Sequence, residues 1–152
     1  MLHRTEGYPA VNLRLFLTYG PGQHPNRFIP QIIKGCLQDN YFPTSSGMQI
    51  RDLCYVRDAV DAIVKAMLID ESIGHVINIA SGQPITIRKV IEKVVTMVGK
   101  GRPNFGELSY RPGENMSLYA NTKKAERILD WRPVVSLEEG LESAIQWYAK
   151  HG

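Results

Sequence analysis

No apolar run in the chain approaches the ~20 residues needed to cross a bilayer, so no membrane-spanning helix is expected. The first ten residues, MLHRTEGYPA, lack the apolar segment of a secretory leader. Blocks of like charge are missing too: 18 basic and 15 acidic residues are interspersed, leaving a mild net charge of +3. Nucleic-acid binding through a basic tract is therefore not indicated, whereas a small acidic ligand suits the modest excess of Arg and Lys. Only two cysteines occur, Cys36 and Cys54, each in an apolar stretch. Without a leader they are expected to be reduced thiols in a cytoplasmic protein. His3, His24, His75 and His151 have no ligand spacing to a cysteine or to one another, which argues against a metal site. Internal repeats and low-complexity tracts are also absent.

What remains is an ordinary globular composition. The 152 residues are 43% apolar and 22% charged, enough for one domain with one core. The stretch VNLRLFLTYGPGQ reads as a largely buried strand over Val11–Thr18, ended by Gly20-Pro21-Gly22. RFIPQIIKGCL has helical spacing, with Pro30 tolerated in the first turn. DNYFPTSSGMQ has loop composition. In RDAVDAIVKAMLID, Val60, Ile63, Val64, Met67 and Leu68 fall on one helical face, with Asp58 placed as N-cap and Asp61 in the first turn. HVINIA reads as a short strand. TIRKVIEKVVTMVGK carries the clearest apolar helical stripe, from Ile87 to Val98, with Thr86 as N-cap and Gly99 as terminator. GELSYRPGE reads as a strand entering a turn. NTKKAERIL is a short helix capped by Asn121. SLEEGLESAIQWYAK is a last helix with a Ser136–Glu139 capping box. Strands alternating with helices define an α/β protein.

Three features carry candidate chemistry. The Gly-Pro-Gly turn of YGPGQ ends a strand where open α/β sheets place ligands, although such a turn also serves simply to end a strand. Arg51, in an extended piece before a helix, can grip a phosphate with two N–H groups, or can pair with Asp52 or Asp58 at the surface. In YRPGE the Pro112-Gly113 turn presents Arg111 and Glu114 together. An arginine for phosphate and a carboxylate for a ribose diol make a coherent pair; a solvated turn with two unrelated charges is the alternative. Trp131, Trp147 and Tyr148 read as packing residues.

The ordered set RLFLTYGPGQ, RFIPQII, GMQIRDLCYVRDAVDAI, HVINIASGQPITI, YRPGE and NTKKAERILDWRPVVSLEEGLESAIQWY resembles extended short-chain dehydrogenase/reductases that act on nucleotide sugars. These are the NAD-dependent epimerases and dehydratases, and the likeness runs from about Val11 to Tyr148. It is to their C-terminal half, which implies late strands of a Rossmann-type sheet plus the small α/β substrate-binding domain across residues 1–152. It further implies that Arg51 and Arg111 clamp the substrate diphosphate from two sides, that Glu114 meets the ribose, and that Gln49 and Leu17 contact substrate. Leu15 and Phe16 would lie beside the nicotinamide, while Phe28–Ile33 and the loop around Phe42 would wall the nucleotide pocket. The wording is nearest to bacterial enzymes that make CDP- or GDP-linked deoxysugars for surface polysaccharide. Leu17 departs from the family pattern R-x-F-N-x-Y-G-P, where Asn contacts the sugar, and the loop FPTSSGMQ lacks an aromatic residue that some relatives stack on the base.

The family's glycine-rich NAD turn and its Y-x-x-x-K catalytic pair are missing. Tyr119 does have Lys123 four residues on, but in LYANTKK, which corresponds to a late segment of the family and not to its catalytic helix. The N-terminal NAD-binding part is thus expected to be absent, with Met1 following the catalytic helix, and NAD or NADP, the parent family's cofactor, not to be held by this chain alone. Turnover by the chain alone is left open. The expected partners are a nucleotide-diphosphate sugar and either further copies of the chain or the missing half, with no membrane and no nucleic acid. A different class remains as the alternative: a non-catalytic, stand-alone nucleotide-binding or assembly module.

Overall fold

The computed structural model describes residues 2–152; the expectation placed on Met1 lies outside them. A short helix α1 (Leu2–Glu6) precedes β1 (Asn12–Leu15) and β2 (Leu17–Tyr19). Helix α2 (Phe28–Leu37), β3 (Tyr41–Thr44), β4 (Ile50–Tyr55) and α3 (Val56–Leu68) follow. After a single 3-10 turn come β5 (Val76–Ile79), β6 (Pro84–Thr86), α4 (Ile87–Val98), β7 (Arg102–Phe105), β8 (Ser117–Leu118), α5 (Lys123–Leu129) and α6 (Leu137–His151).

The stretch expected as one buried strand is two strands in two sheets. β1 pairs in parallel with β5, from Asn12↔Val76 to Leu15↔Ile79, and β2 pairs in parallel with β4, from Leu17↔Leu53 to Tyr19↔Tyr55. The switch falls at Phe16, whose N–H still donates to Ile79 O at 3.0 Å. Nor is the first half buried: Leu15 is 48% exposed. β4 is the hub of the second sheet, antiparallel to β6 and parallel to β8. Two cores result. One gathers Tyr19, Ile33, Cys36, Ile91, Val94 and Leu141 between α2, α4 and α6; the other gathers Cys54, Ala62, Ile77, Ile79, Leu129 and Trp131 beneath α3 and α5. Each large apolar side chain so buried contributes roughly 1.5–3 kcal/mol.

The expected helices form, and three of their ends match in detail. Thr86 Oγ1 accepts from Lys89 N at 3.3 Å, and Gly99 closes α4 at φ 76°. Ser136 and Glu139 make the reciprocal capping box of α6. Four local readings need correction. Asp58 is not the N-cap of α3: the helix starts two residues earlier at Val56, and Asp58 is buried inside its first turn, where its carboxylate accepts from Val135 N at 3.1 Å. The residues between Asp39 and Gln49 are not all loop, because Tyr41–Thr44 pair in parallel with Arg102–Phe105. Pro43 is tolerated because that ladder has only two strands. GELSYRPGE contains no strand; its β-structure lies before it, in β7. Asn121 does cap α5, accepting from Lys123 N at 3.0 Å, but from one residue before the formal cap Thr122.

The largest correction concerns α3. Its inward face is Ala59, Ala62 and Ala66, small residues that share a core with Ile77, Ile79, Leu129 and Trp131. The apolar face read from the sequence points largely outward, with Val60 at 51%, Val64 at 46%, Met67 at 78% and Leu68 at 77% exposure and only Ile63 half-buried. Among the described residues β1 pairs on one edge only, so an open strand edge accompanies the uncovered helix row.

Candidate functional site

A cleft of about 370 Å³ opens between α2, the Pro43–Gln49 segment, α4 and the Leu108–Glu114 loop. It collects Leu17, Gln49, Arg51, Arg111 and Glu114, all five residues assigned to substrate from the sequence. Phe28 and Ile32 of α2 form an apolar wall with the polar Gln31 beside them, and Ile87 and Ile91 of α4 form the floor. Phe42 does not line it: its ring lies over Gly35, where a Cβ would come within 2.7 Å, and Pro43 and Thr44 take the rim instead. Leu15 and Phe16 lie outside this cleft.

Arg51 is fixed by its position on β4. Only 9% exposed, it donates from Nη1 to the carbonyls of Ile50 at 2.8 Å and Asn115 at 2.7 Å, and from Nη2 to Glu114 Oε1. Its partner is thus neither Asp52 nor Asp58. Asp52, on the next residue of the strand, faces the opposite way. It is fully buried and accepts from Ser81 N (2.7 Å), Ser81 Oγ (2.6 Å), Gly82 N (3.1 Å) and Ala120 N (3.3 Å). The alternation of a strand explains the division: one side chain enters the cleft and its neighbour ties two loops together.

Arg111 is exposed, and its guanidinium makes no hydrogen bond or ion pair among the described residues. It precedes Pro112-Gly113, a turn closed by Glu114 N to Arg111 O at 3.0 Å with Gly113 at φ 75°. Proline second and a left-handed glycine third is the type II pattern. The opposite rim is held by Tyr110, whose hydroxyl bonds Ser46 and accepts from Met48 N at 3.0 Å. Arg88 locks the same segment from α4, donating Nε to Ser46 O at 3.1 Å while its guanidinium lies 3.9 Å over the Phe105 ring. Gly47 is required there: at φ 72°, a Cβ would come within 2.8 Å of Arg88 N. Tyr110, Arg88 and Gly47 were not singled out from the sequence, since nothing local marks a residue that positions a neighbouring loop. Ile87 and Ile91 were read as core, and they are; their edges also floor the cleft.

Chemically, the cleft offers one guanidinium already engaged, one uncommitted, one carboxylate shared with the first, and apolar walls. That combination binds a phosphorylated ligand with an apolar or planar portion. Among the described residues no nucleophile–base pair emerges. Tyr119 is 55% exposed and lies outside α5, which begins at Lys123, so the pair does not share a helix face. Both thiols are buried, and burial pushes the Cys36 thiol up to about 11 and the Cys54 thiol up to about 12, the environment of structural cysteines.

The chain belongs to the family described as GDP-mannose 4,6 dehydratase, whose sequence profile matches residues 1–144. Its fold is that of the C-terminal part of an extended short-chain dehydrogenase/reductase. It is 28% identical over 148 residues to a UDP-glucuronate 4-epimerase of Thermodesulfobacterium geofontis, covering 95% of this chain and 45% of that protein. It is 25% identical to a dTDP-glucose 4,6-dehydratase of Xanthomonas campestris, covering 96% of this chain and 44% of that one. A crystal structure of UDP-glucuronic acid 4-epimerase from Bacillus cereus, in complex with UDP-glucuronic acid and NAD, superposes with a TM-score of 0.90 at 33% identity, covering 99% of this chain and 48% of that one. The chain therefore spans about half the length of the relatives it matches.

Proposed function

We propose that the cleft binds a nucleotide-diphosphate sugar, and that the chain is the substrate-binding half of an NAD-dependent epimerase or dehydratase. The observation that carries this reading is the convergence of Arg51 and Arg111, from β4 and from the 106–116 loop, on one apolar-walled cleft. Two guanidiniums facing a diphosphate neutralise its charge and fix its orientation. Glu114, between them, takes a ribose hydroxyl once Arg51 turns to the phosphate. Leu17 contributes apolar contact where many relatives carry an amide, so one sugar hydroxyl goes unbonded there.

The family cofactor, NAD, supplies hydride transfer when bound. Leu15 and Phe16 offer apolar contact to a nicotinamide ring but nothing for its phosphates or riboses. The residues of this chain do not by themselves fit the cofactor, and no chemical step is assigned through it. The open edge of β1 and the uncovered α3 row provide the surface on which the remaining half-length seen in relatives would pack.

Isothermal titration with UDP, dTDP, CDP and GDP tests the cleft. Saturable binding of at least one of them, weakened in Arg51→Ala and in Arg111→Ala, is expected. Absence of binding by all four, or binding unchanged in both variants, overturns the reading.

A further inference from the structure

Arg111 reaches the cleft from a loop with few ties to the rest of the molecule. At its start, Gly106 N and Leu108 N both donate to Thr44 O at 3.0 Å; at its end, Ile50 N donates to Met116 O at 2.8 Å. Between Ser109 and Asn115, the hydrogen bonds that leave the loop, among the described residues, go to two places. Arg51 holds Glu114 and the Asn115 carbonyl. The Tyr110 hydroxyl bonds Ser46 Oγ and accepts from Met48 N at 3.0 Å.

The two ties respond differently to a ligand. Arg51 lines the cleft, so an anion there competes with Glu114 for its guanidinium. Neither Tyr110 nor its partners Ser46 and Met48 line the cleft. Those partners sit on a segment fixed from α4: Ile87 N donates to Gln49 O at 3.0 Å, Arg88 N to Gly47 O at 2.8 Å and Arg88 Nε to Ser46 O at 3.1 Å. The two backbone bonds use N–H groups of the first helical turn, which have no partner inside the helix. The hydroxyl therefore ties the residue before Arg111 to a fixed part of the molecule that an anion in the cleft does not compete for.

We infer that Tyr110 is a positioning residue, which holds Arg111 over the cleft when the ligand draws Arg51 away from Glu114. This inference rests on the diphosphate reading of the cleft. Tyr110 acts through the guanidinium one residue on. Because the loop stays ordered, binding through Arg111 does not bear the cost of ordering it. The hydroxyl is essential, since a bare phenyl ring can neither accept from Met48 N nor bond Ser46.

The probe is inorganic pyrophosphate, which offers two phosphates without base or sugar. It is titrated by calorimetry into wild type, Tyr110→Phe, Arg111→Ala and the double variant. Tyr110→Phe keeps the ring, and Met48 is 55% exposed, so water replaces the lost acceptor and the fold is retained. Tyr110→Phe should bind pyrophosphate about threefold more weakly than wild type. In the Arg111→Ala background the same change should alter affinity by less than about 1.5-fold, because no guanidinium remains to be positioned. Ser46→Ala, which takes one of the two partners and leaves the tyrosine, should show the same coupling at a smaller factor. A merely structural role lowers affinity by equal factors in both backgrounds. Equal factors, or wild-type affinity in Tyr110→Phe, would overturn the inference and leave the diphosphate reading standing. No binding by wild type, or binding undiminished in Arg111→Ala, would remove the Arg111 clamp and this inference with it.

Discussion

Glu114 holds Arg51: the carboxylate at the end of the Pro112-Gly113 turn accepts from the guanidinium of β4, with side-chain exposures of 22% and 11%. The pair joins the loop that carries Arg111 to the strand that carries Arg51. Replacing Glu114 with Gln removes the internal anion and leaves Arg51 free for an external one. Inorganic pyrophosphate should bind Glu114→Gln more tightly than wild type, by about two- to fivefold, as read by calorimetry. Equal or weaker binding would mean that Glu114 positions Arg51 and does not compete for it.

Arg51 and Arg111 should separate in their effects. Arg51→Ala leaves a half-buried carboxylate unpaired and removes two backbone contacts, so it should lower both ligand affinity and stability, the latter by about 1–3 kcal/mol. Arg111→Ala touches nothing else and should weaken nucleotide-diphosphate binding with stability unchanged within about 0.5 kcal/mol. Urea denaturation beside calorimetry distinguishes the two.

Asp52→Asn should be among the most damaging conservative substitutions. The amide can replace one carboxylate oxygen, but its NH2 group faces backbone N–H donors that already point at it. A loss of about 3 kcal/mol is expected from urea midpoints.

The buried thiols set an alkaline limit. In the unfolded chain a thiol ionises near 9, whereas burial raises Cys36 to about 11 and Cys54 to about 12. The folded state retains protons that the unfolded state releases, so this contribution is intact below pH 9 and falls as pH rises toward 11 and 12. Unfolding midpoints should drop between pH 8 and pH 10, and less so in Cys36→Ser/Cys54→Ala than in wild type. Native protein should resist iodoacetamide at pH 8 and react when unfolded in urea.

The uncovered row on α3 and the open edge of β1 make self-association the expected behaviour of the 152-residue chain alone. Light scattering after size-exclusion chromatography should report species larger than 17.1 kDa, with Leu15→Lys and Met67→Lys moving the population toward monomer. A stable wild-type monomer would show that this surface needs no cover.

The legible parts of the fold were those in which the local pattern and its partner agree. The α4 stripe, its Thr86 cap, the Gly99 terminator and the Ser136–Glu139 box are satisfied within a few residues of themselves, so spacing suffices to find them. α3 misled for a physical reason. Its large apolar side chains form the better stripe by sequence, but the face that enters the core beside Ile77, Ile79 and Trp131 is the alanine face. Asp58 resembles a cap, yet the chain turns into helix two residues earlier and draws the carboxylate inward to Val135.

The candidate site divides along the same line. Arg51, Arg111, Glu114, Gln49 and Leu17 were found from their residue types in ordered segments, and the Pro112-Gly113 turn follows from local backbone chemistry alone. What only the tertiary structure decided is their company: that Arg51 takes Glu114 and not its neighbour Asp52, that Tyr110 and Arg88 brace the rim, and that α4's core residues floor the cleft. Sequence determines a residue's chemistry and its local turn. The partner of a long charged side chain is chosen across 63 positions by how β4 and the 106–116 loop come together, and no local pattern encodes that distance.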